Sequence, residues 1–376
     1  MTVPATDPIG LRRALHRQPE VSGAERKTAA TVARWLEQHA RPSRLLTGLG
    51  GHGLAALFGT ARPAVLLRAE LDALPIQETP GSEPASEHAS QHPGVMHACG
   101  HDGHAAILCA LAARLAEDAP VALLFQPAEE TGEGARAVLA DPRWPEIRPS
   151  RWAFALHNLP GRPLGEVSIR PGPALCGSVG LRLDLAGRTA HAAHPEDGDS
   201  PARSMAELVR ALPRDPEPGG PVAMTTLTHA RLGEPTFGVS PGAAVFHVTC
   251  RAETEPLLDQ EVGRVRALAD DHGAEITEHE RFAATINDDE AVEMIKSAAS
   301  SAGLPVRDLD APMRWSEDFG AILDDVRARG GSGGGGAMLM LGSGEHQPPL
   351  HDPSFDFPDD LIRPAAGLWL RLLDSV

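Results

Sequence analysis

Met96 to His104 reads M-H-A-C-G-H-D-G-H, three histidines, one cysteine and one aspartate within nine residues. Imidazole and thiolate are the usual ligands of zinc and similar divalent ions, and the two glycines allow a backbone tight enough to bring those side chains together. A histidine-rich polar turn would look similar. The chain has 17 His among 376 residues, so a chance pair is common, but three with a Cys and an Asp point to metal chemistry. Other metal-type residues stand elsewhere: Glu70 and Asp72 in R-A-E-L-D-A-L-P, Glu129 and Glu130 in Q-P-A-E-E, His157 in A-L-H-N, and His351 in P-P-L-H-D-P. Candidate ligands thus come from four places: Cys99 with His101, Glu129–Glu130, His157 and His351. Adjacent glutamates at a strand end or turn point in different directions, so one can ligate while the other handles a proton. Metal-assisted hydrolysis needs that division, since the ion acidifies water and a carboxylate moves the proton. No H-E-x-x-H occurs, which excludes the zincin helix.

These residues need elements to carry them. Asp7 to His16 opens with an Asp-Pro helix signal, and about Ala24 to His39 is helical. Leu54–Phe58 and Ala64–Arg68 read as strands; on an extended chain Glu70 and Asp72 fall on one side of the second, although alone such a pair reads as a solvated strand end. Ile76–Gly94 reads as a surface loop. Gly103–Glu117 is mostly apolar, hence a buried helix, with the metal-type residues at or just before its N-terminus. Val121–Phe125 and Trp152–His157 are buried strands ending at Glu129–Glu130 and His157, and sites of open α/β sheets gather at such ends. After Gly172 alternation takes over. Strands are expected at Val179–Ala186, Ala223–Ala230, Ala243–Arg251 and Glu275–Phe282, with helices at Ser200–Leu212 and Leu257–His272. Helices Glu290–Ala302, Ser316–Val326 with Ser316 as N-cap, and Pro358–Leu373 follow, with a buried strand at Ala337–Leu341. Arg329–Gly336, R-G-G-S-G-G-G-G, reads as a flexible linker, a natural loop or an engineered replacement. Its G-x-S-x-G match at Gly330–Gly334 lacks the strand–turn–helix context of a hydrolase serine.

Length suggests two domains. A formal net charge of −17 argues against nucleic acid or anionic membrane as partners, and absence of Tyr with 4% aromatics argues against base-stacking platforms. Cys99, Cys109, Cys176 and Cys250 are scattered, with no C-x-x-C, so no disulfide framework is expected. The N-terminus has no signal-peptide pattern and no apolar stretch has membrane-span length, which makes a cytoplasmic enzyme the expectation.

Eight motifs in one order carry a resemblance: H-R-Q-P-E at His16–Glu20, R-A-E-L-D-A-L-P at Arg68–Pro75, H-A-C-G-H-D-G-H at His97–His104, Q-P-A-E-E-T-G-E-G-A at Gln126–Ala135, A-L-H-N at Ala155–Asn158, G-R-T-A-H-A-A-H-P at Gly187–Pro195, W-S-E-D-F at Trp315–Phe319 and P-L-H-D-P at Pro349–Pro353. The chain resembles the co-catalytic metallopeptidase superfamily of aminoacylases and carboxypeptidase G, and within it the amidohydrolase branch of hippurate hydrolase and indole-acetyl-amino-acid hydrolases. The resemblance implies two metal ions, Mn²⁺ or Zn²⁺ with Co²⁺ or Ni²⁺ also fitting the donor set, held by Cys99, His101, Glu130, His157 and His351. It implies Glu129 as general base, Asp72 orienting a ligand histidine, His191 stabilising the oxyanion and Arg251 recognising a substrate carboxylate. His97 and His104 would support the turn and the helix start, and Asp102 would orient neighbours. Three departures stand out: Glu70 where the family usually has Asp, Gly238 in F-G-V-S-P where it has Asn, and the glycine run near Gly330–Gly336.

The expected fold is α/β in two domains: a catalytic α/β sandwich with a largely parallel sheet, 1–175 with 288–376, and an inserted ferredoxin-like α+β lid and dimerisation domain, 176–287. The expected activity is hydrolysis of the amide bond of a small N-acylated amino acid or related compound by a homodimer. A dipeptidase or exopeptidase using the same site, or a catalytically silent binding protein of this fold, are the alternatives.

Overall fold

The computed structural model describes residues 7–79, 87–329 and 333–376. The N-terminal residues 1–6, the 80–86 part of the expected surface loop and the Gly330–Ser332 part of the expected linker lie outside them. The chain divides into two compact units, 1–174 with 286–311 and 318–376, and 175–285 with 312–317. The second thus takes in a short segment, 312–317, that the sequence reading left with the larger domain.

Apolar runs build the sheet of the larger unit from β1 (Arg44–Leu49), β2 (Gly53–Leu57), β3 (Val65–Glu70), β4 (Val121–Gln126), β5 (Trp152–Leu159), β6 (Val167–Ile169), β7 (Val306–Asp308) and β8 (Gly335–Gly342), in the order β1-β2-β4-β3-β5-β8-β6-β7. The central β4, β3, β5 and β8 run parallel, while β1–β2, β2–β4 and β8–β6 are antiparallel. Every residue of β3, β4 and β8 is buried, as expected of parallel strands covered on both faces. Leu67, Leu123, Phe154 and Leu339 meet one layer of helices: α1 (Pro8–Arg17), α2 (Arg26–His39), α3 (His101–Ala112), α4 (Asp289–Ser301) and α6 (Ile362–Leu373). The other face of β8 turns Gly336 toward Leu323 of α5 (Phe319–Arg329). All twelve residues of α3 are buried, so it has no polar face to offer solvent. Asp7 caps α1 by accepting the Ile9 N–H at 3.0 Å, with Pro8 in the first turn.

In the smaller unit strands Gly177–Ala186, Ala223–Leu232, Ala243–Ala252 and Glu275–Phe282 form one antiparallel sheet. Helices Ala202–Ala211 and Glu255–Asp271 complete a strand–helix–strand–strand–helix–strand chain, the ferredoxin-like arrangement. Val179, Leu181, Leu183 and Leu185 alternate into a core with Leu258, Val262 and Val265. Among the described residues no helix is long and apolar enough to cross a membrane.

Two expectations need correction. The helix expected from Ser316 starts at Phe319: Ser316 accepts a hydrogen bond from Arg251 at 2.9 Å instead of capping, and the Asp318 carbonyl takes the Ala321 N–H at 3.0 Å. The strand expected at Ala337 begins two residues earlier, and Gly335 and Gly336 are strand residues, not linker. Packing explains both glycines. A Cβ on Gly336 would run into the Ala153 carbonyl of β5, and one on Gly335 into the Asp288 carboxylate. Gly336→Ala should therefore cost about 3 kcal/mol, the scale of overpacking. Gly367→Ala within α6, where a Cβ meets nothing within 4 Å, should stabilise by roughly 0.5–1 kcal/mol. Urea midpoints of the two variants check the contrast.

Candidate metal centre

Three neighbouring parallel strands, β4, β3 and β5, deliver acids and a histidine at their C-terminal ends, and α3 starts above them. The chain reaches α3 through Gly100, whose φ of +91° is a left-handed conformation that glycine adopts without strain. A Cβ there would also strike the Asn158 amide and the Phe357 ring. His101 is the first residue of α3 and Cys99 lies two before it. His101 Nδ1 donates to the Asp72 carbonyl at 3.0 Å, with Asp72 Oδ1 at 3.3 Å. In the neutral ring, the form a metal ligand requires, its Nε2 is then the lone-pair nitrogen, buried and without a hydrogen-bond partner. His157 is fixed the same way: Nδ1 donates to the Asn158 carbonyl at 2.9 Å, and Nε2 faces Cys99 Sγ at 3.3 Å. Tautomers set by the second nitrogen's bond are the usual arrangement of metal-binding histidines.

After β4 the chain turns through Ala128, a non-glycine residue at φ +51°, a conformation costing on the order of 1–3 kcal/mol that clusters at functional sites. The Ala128 N–H is held by Glu25 at 2.8 Å and the Glu130 N–H by Asp72 Oδ2 at 2.9 Å. Glu129 Oε2 comes within 3.9 Å of His101 Nε2. Glu130 Oε1, buried and without a hydrogen-bond partner, lies 3.5 Å from His351 Nε2. His351 also has a left-handed backbone, φ +65°, pinned by its N–H to the Ala98 carbonyl at 2.9 Å.

Ligand atoms of Cys99, His101 and His157 lie within 4.8 Å of one another, as do those of Cys99, Glu130 and His351, and those of His101, Glu129 and Glu130. Two donor groups sharing one sulfur, with mixed N, O and S chemistry and two orphaned lone-pair atoms, fit a divalent metal centre. Electrostatics agree. Burial, then Glu130 and Glu129, push the Cys99 thiol well above its ordinary value, a cost that a cation removes. Burial opposes charge on His101, but the Asp72 bond and the carboxylates of Glu70, Asp72 and Glu130 raise it to about 10. Burial and the neighbouring His104 and His101 hold His157 well below its ordinary value. Burial would raise Asp72, yet its bonds to His101, Glu130 and Ser22 keep it lowered.

The structure thus brings together Cys99, His101, Glu129, Glu130, His157, His351 and Asp72 within the larger unit. His191 and Arg251 belong to the smaller one. His104 donates to Glu70 at 2.6 Å and contacts the Asn158 amide at 2.7 Å, and Glu70 pairs with Arg68. Arg68 continues to Gln126 at 3.0 Å and Asp318 at 2.7 Å, and Asp318 accepts the Ala135 N–H at 2.8 Å. Arg68, Gln126 and Asn158 carry no role legible from sequence, and Asp318 only that of an acid in the first turn of the helix expected from Ser316, although each stands inside a quoted motif.

Comparisons with known proteins bear on this arrangement. Residues 66–375 match the model of peptidase family M20/M25/M40. N-acetyl-L-cysteine deacetylase of Bacillus subtilis (strain 168) is 32% identical, spanning 98% of this chain and 88% of its own length. Hippurate hydrolase of Campylobacter jejuni is 28% identical over 96% of this chain and 94% of its own. Among solved structures, the Bacillus subtilis YXEP protein, described as a dinuclear metal binding peptidase from the M20 family, superposes at a TM-score of 0.78 with 24% identity over 98% of both chains, a likeness of fold.

Glu70 generates a stability test. Burial opposes its charge, but Arg68 and His104 outweigh burial and hold its pKa below the ordinary 4.5. A depressed carboxyl stabilises the fold above its unfolded pKa and loses that contribution as pH falls through the folded one. Glu70→Gln should lower stability at pH 7 by about 3–5 kcal/mol, the cost of breaking a buried pair. The variant should also lose less stability than wild type on acidification below about pH 4.5. Urea titrations at pH 7 and pH 4 measure both.

Proposed function

This chain belongs to peptidase family M20/M25/M40, and on that premise we propose that it is a metal-dependent deacylase cleaving the amide bond of a small N-acylated amino acid or related N-acyl compound. The observation that carries the reading is the pair of donor groups meeting at Cys99, with Glu129 beside His101. Cys99, His101, Glu130, His157 and His351 would hold two ions, Mn²⁺ or Zn²⁺ by preference and Co²⁺ or Ni²⁺ by donor chemistry. When bound, the ions polarise the substrate carbonyl and lower the pKa of water. Glu129, 5% exposed, takes a proton from the attacking water and passes it to the leaving amine. Asp72 keeps His101 in the tautomer that presents Nε2.

In the same reading the larger unit is catalytic and the smaller one is lid and dimerisation domain, in a cytoplasmic homodimer. His191 stands exposed on a short strand, and its Nδ1 accepts the Ala193 N–H at 3.0 Å. Neutral His191 therefore carries its proton on Nε2, a donor suited to a developing oxyanion. Arg251 donates to two neutral oxygens, Ser316 Oγ at 2.9 Å and the Arg314 carbonyl at 3.3 Å. Among the described residues it has no carboxylate partner, and burial lowers its pKa. A half-desolvated cation of this kind suits a substrate carboxylate. Beside His191, Gly238 has nothing within 4 Å of a Cβ position and brings no side-chain hydrogen-bond donor.

A panel of N-acyl amino acids and dipeptides, with Mn²⁺ or Zn²⁺ added, tests the activity: faster turnover of the N-acyl compounds is expected, and dipeptide preference would favour a peptidase. Glu129→Gln should lower turnover by about 10²–10⁴-fold with metal content unchanged, and unaltered turnover rejects the base assignment. Arg251→Ala should raise KM about 10–100-fold for carboxylate-bearing substrates, the scale of a hydrogen bond to a charged group. Amides lacking that carboxylate should be unaffected.

A further inference from the structure

Helix α1 and the residue after His101 have no part in the chemistry above, yet they form a buried ionic cluster. Arg12 is 1% exposed. Its Nε donates to Asp359 Oδ1 at 2.7 Å, its Nη1 to Asp356 Oδ1 at 2.6 Å, and the same Nη1 lies 3.6 Å from Asp102 Oδ2. His16, one turn along α1, donates from Nδ1 to Asp102 at 2.9 Å. One guanidinium therefore bridges the first turn of α3, which begins at His101 just after Cys99, to the segment that runs on from His351.

That segment depends on such ties. Between the end of β8 at Gly342 and the 3₁₀ turn starting at Asp359 there is no helix or strand. Of the five ligand-type residues His351 is the most exposed, with half its side chain open to solvent. Two further contacts close the same seam. The Phe357 ring packs over Gly100 and Gly103, filling the room that a Cβ at either would need. The Thr79 N–H donates to the Pro353 carbonyl at 2.8 Å, next to Glu78, which lies 3.5 Å from His16.

We propose that Arg12 is a positioning residue of the metal centre: through Asp356, Asp359 and Asp102 it locks the His351 segment against the Cys99–Asp102 turn, so that His351 meets Cys99 and Glu130. This rests on the two-ion reading above and adds an asymmetry to it. The group Cys99, His101 and His157 is carried by the turn into α3, by α3 itself and by β5, and assembles without Arg12. The group Cys99, Glu130 and His351 needs it. A planar guanidinium can bind two carboxylates in fixed directions, which an ammonium cannot reproduce.

The test strips wild-type, Arg12→Gln and Arg12→Lys protein with chelator and titrates each with Zn²⁺, reading binding by calorimetry, metal content by elemental analysis and folding by circular dichroism. Wild type should take two ions. Arg12→Gln should keep one at wild-type affinity and bind the other about 10–100-fold more weakly, the usual effect of losing a residue that supports a ligand, with Arg12→Lys between them. Should Arg12→Gln not fold, Asp356→Asn, at a partly exposed partner, decides with the same selective weakening. Two ions at wild-type affinity in a folded variant, or equal weakening of both, overturns the proposal. Wild-type protein that takes up no ion rejects the two-ion reading itself, and this inference with it.

Discussion

One buried carboxylate fixes the distances on which everything else depends. Asp72 follows β3 and has two oxygens to spend in a space closed to water. Oδ2 accepts the Glu130 N–H at 2.9 Å and the Ser22 hydroxyl at 2.7 Å, and Oδ1 lies 3.3 Å from His101 Nδ1. With its backbone carbonyl, which accepts from His101 Nδ1 at 3.0 Å, Asp72 sets the tautomer of one ligand-type side chain, and with Oδ2 it holds the backbone of another. A buried carboxylate must be compensated by donors or charge, so the arrangement that keeps Asp72 ionised is also the one that aims His101 and Glu130 at Cys99.

The same constraint recurs outward. Glu70 is answered by Arg68 and His104, and Asp102 by His16 and Arg12. With these carboxylates answered by donors outside the ligand set, His101 Nε2 and Glu130 Oε1 are left as orphaned atoms of the donor groups. Crowding a thiol, three imidazoles and two glutamates this closely is unfavourable without a cation, as the strongly raised Cys99 thiol records. The supporting layer is bonded enough to hold that geometry against its own repulsion, which is the sense in which a site is preorganised.

Much of this was legible in the residues. The continuous apolar runs of β3, β4 and β5 and the acids or histidine closing each are strong signals for a site at strand ends, and the alternation after Gly172 marks the ferredoxin-like insertion. What stayed hidden has physical reasons. Gly335 and Gly336 look like linker because glycine-rich composition reports flexibility, whereas here they serve close strand and side-chain approach, which only three-dimensional packing reveals. Ser316 looks like a cap because serine often caps, but Arg251 claims its hydroxyl. The buried ties of Arg12 to Asp356 and Asp359 span more than 340 positions, and nothing in an amphipathic helix sequence announces such partners.

The chain thus divides labour between rigid and tethered parts. His101 and His157 ride on a fully buried helix and a central strand, elements whose position is set by the whole core, and Cys99 lies two residues before that helix. Glu129 and Glu130 hang from a turn that tolerates Ala128 at φ +51° only because Glu25 and Asp72 hold the N–H groups around it. His351 hangs from an irregular segment with its own left-handed backbone. Strain of this kind persists only where neighbours over-determine the conformation: around Ala128 these are the carboxylates of Glu25, leading into α2, and of Asp72, just after β3, and at His351 the Ala98 carbonyl, with Arg12 of α1 tying down Asp356 and Asp359 further along. Among the described residues the N-terminal part of the chain supplies no donor to the centre; its contribution is to hold in place the two segments that regular secondary structure does not.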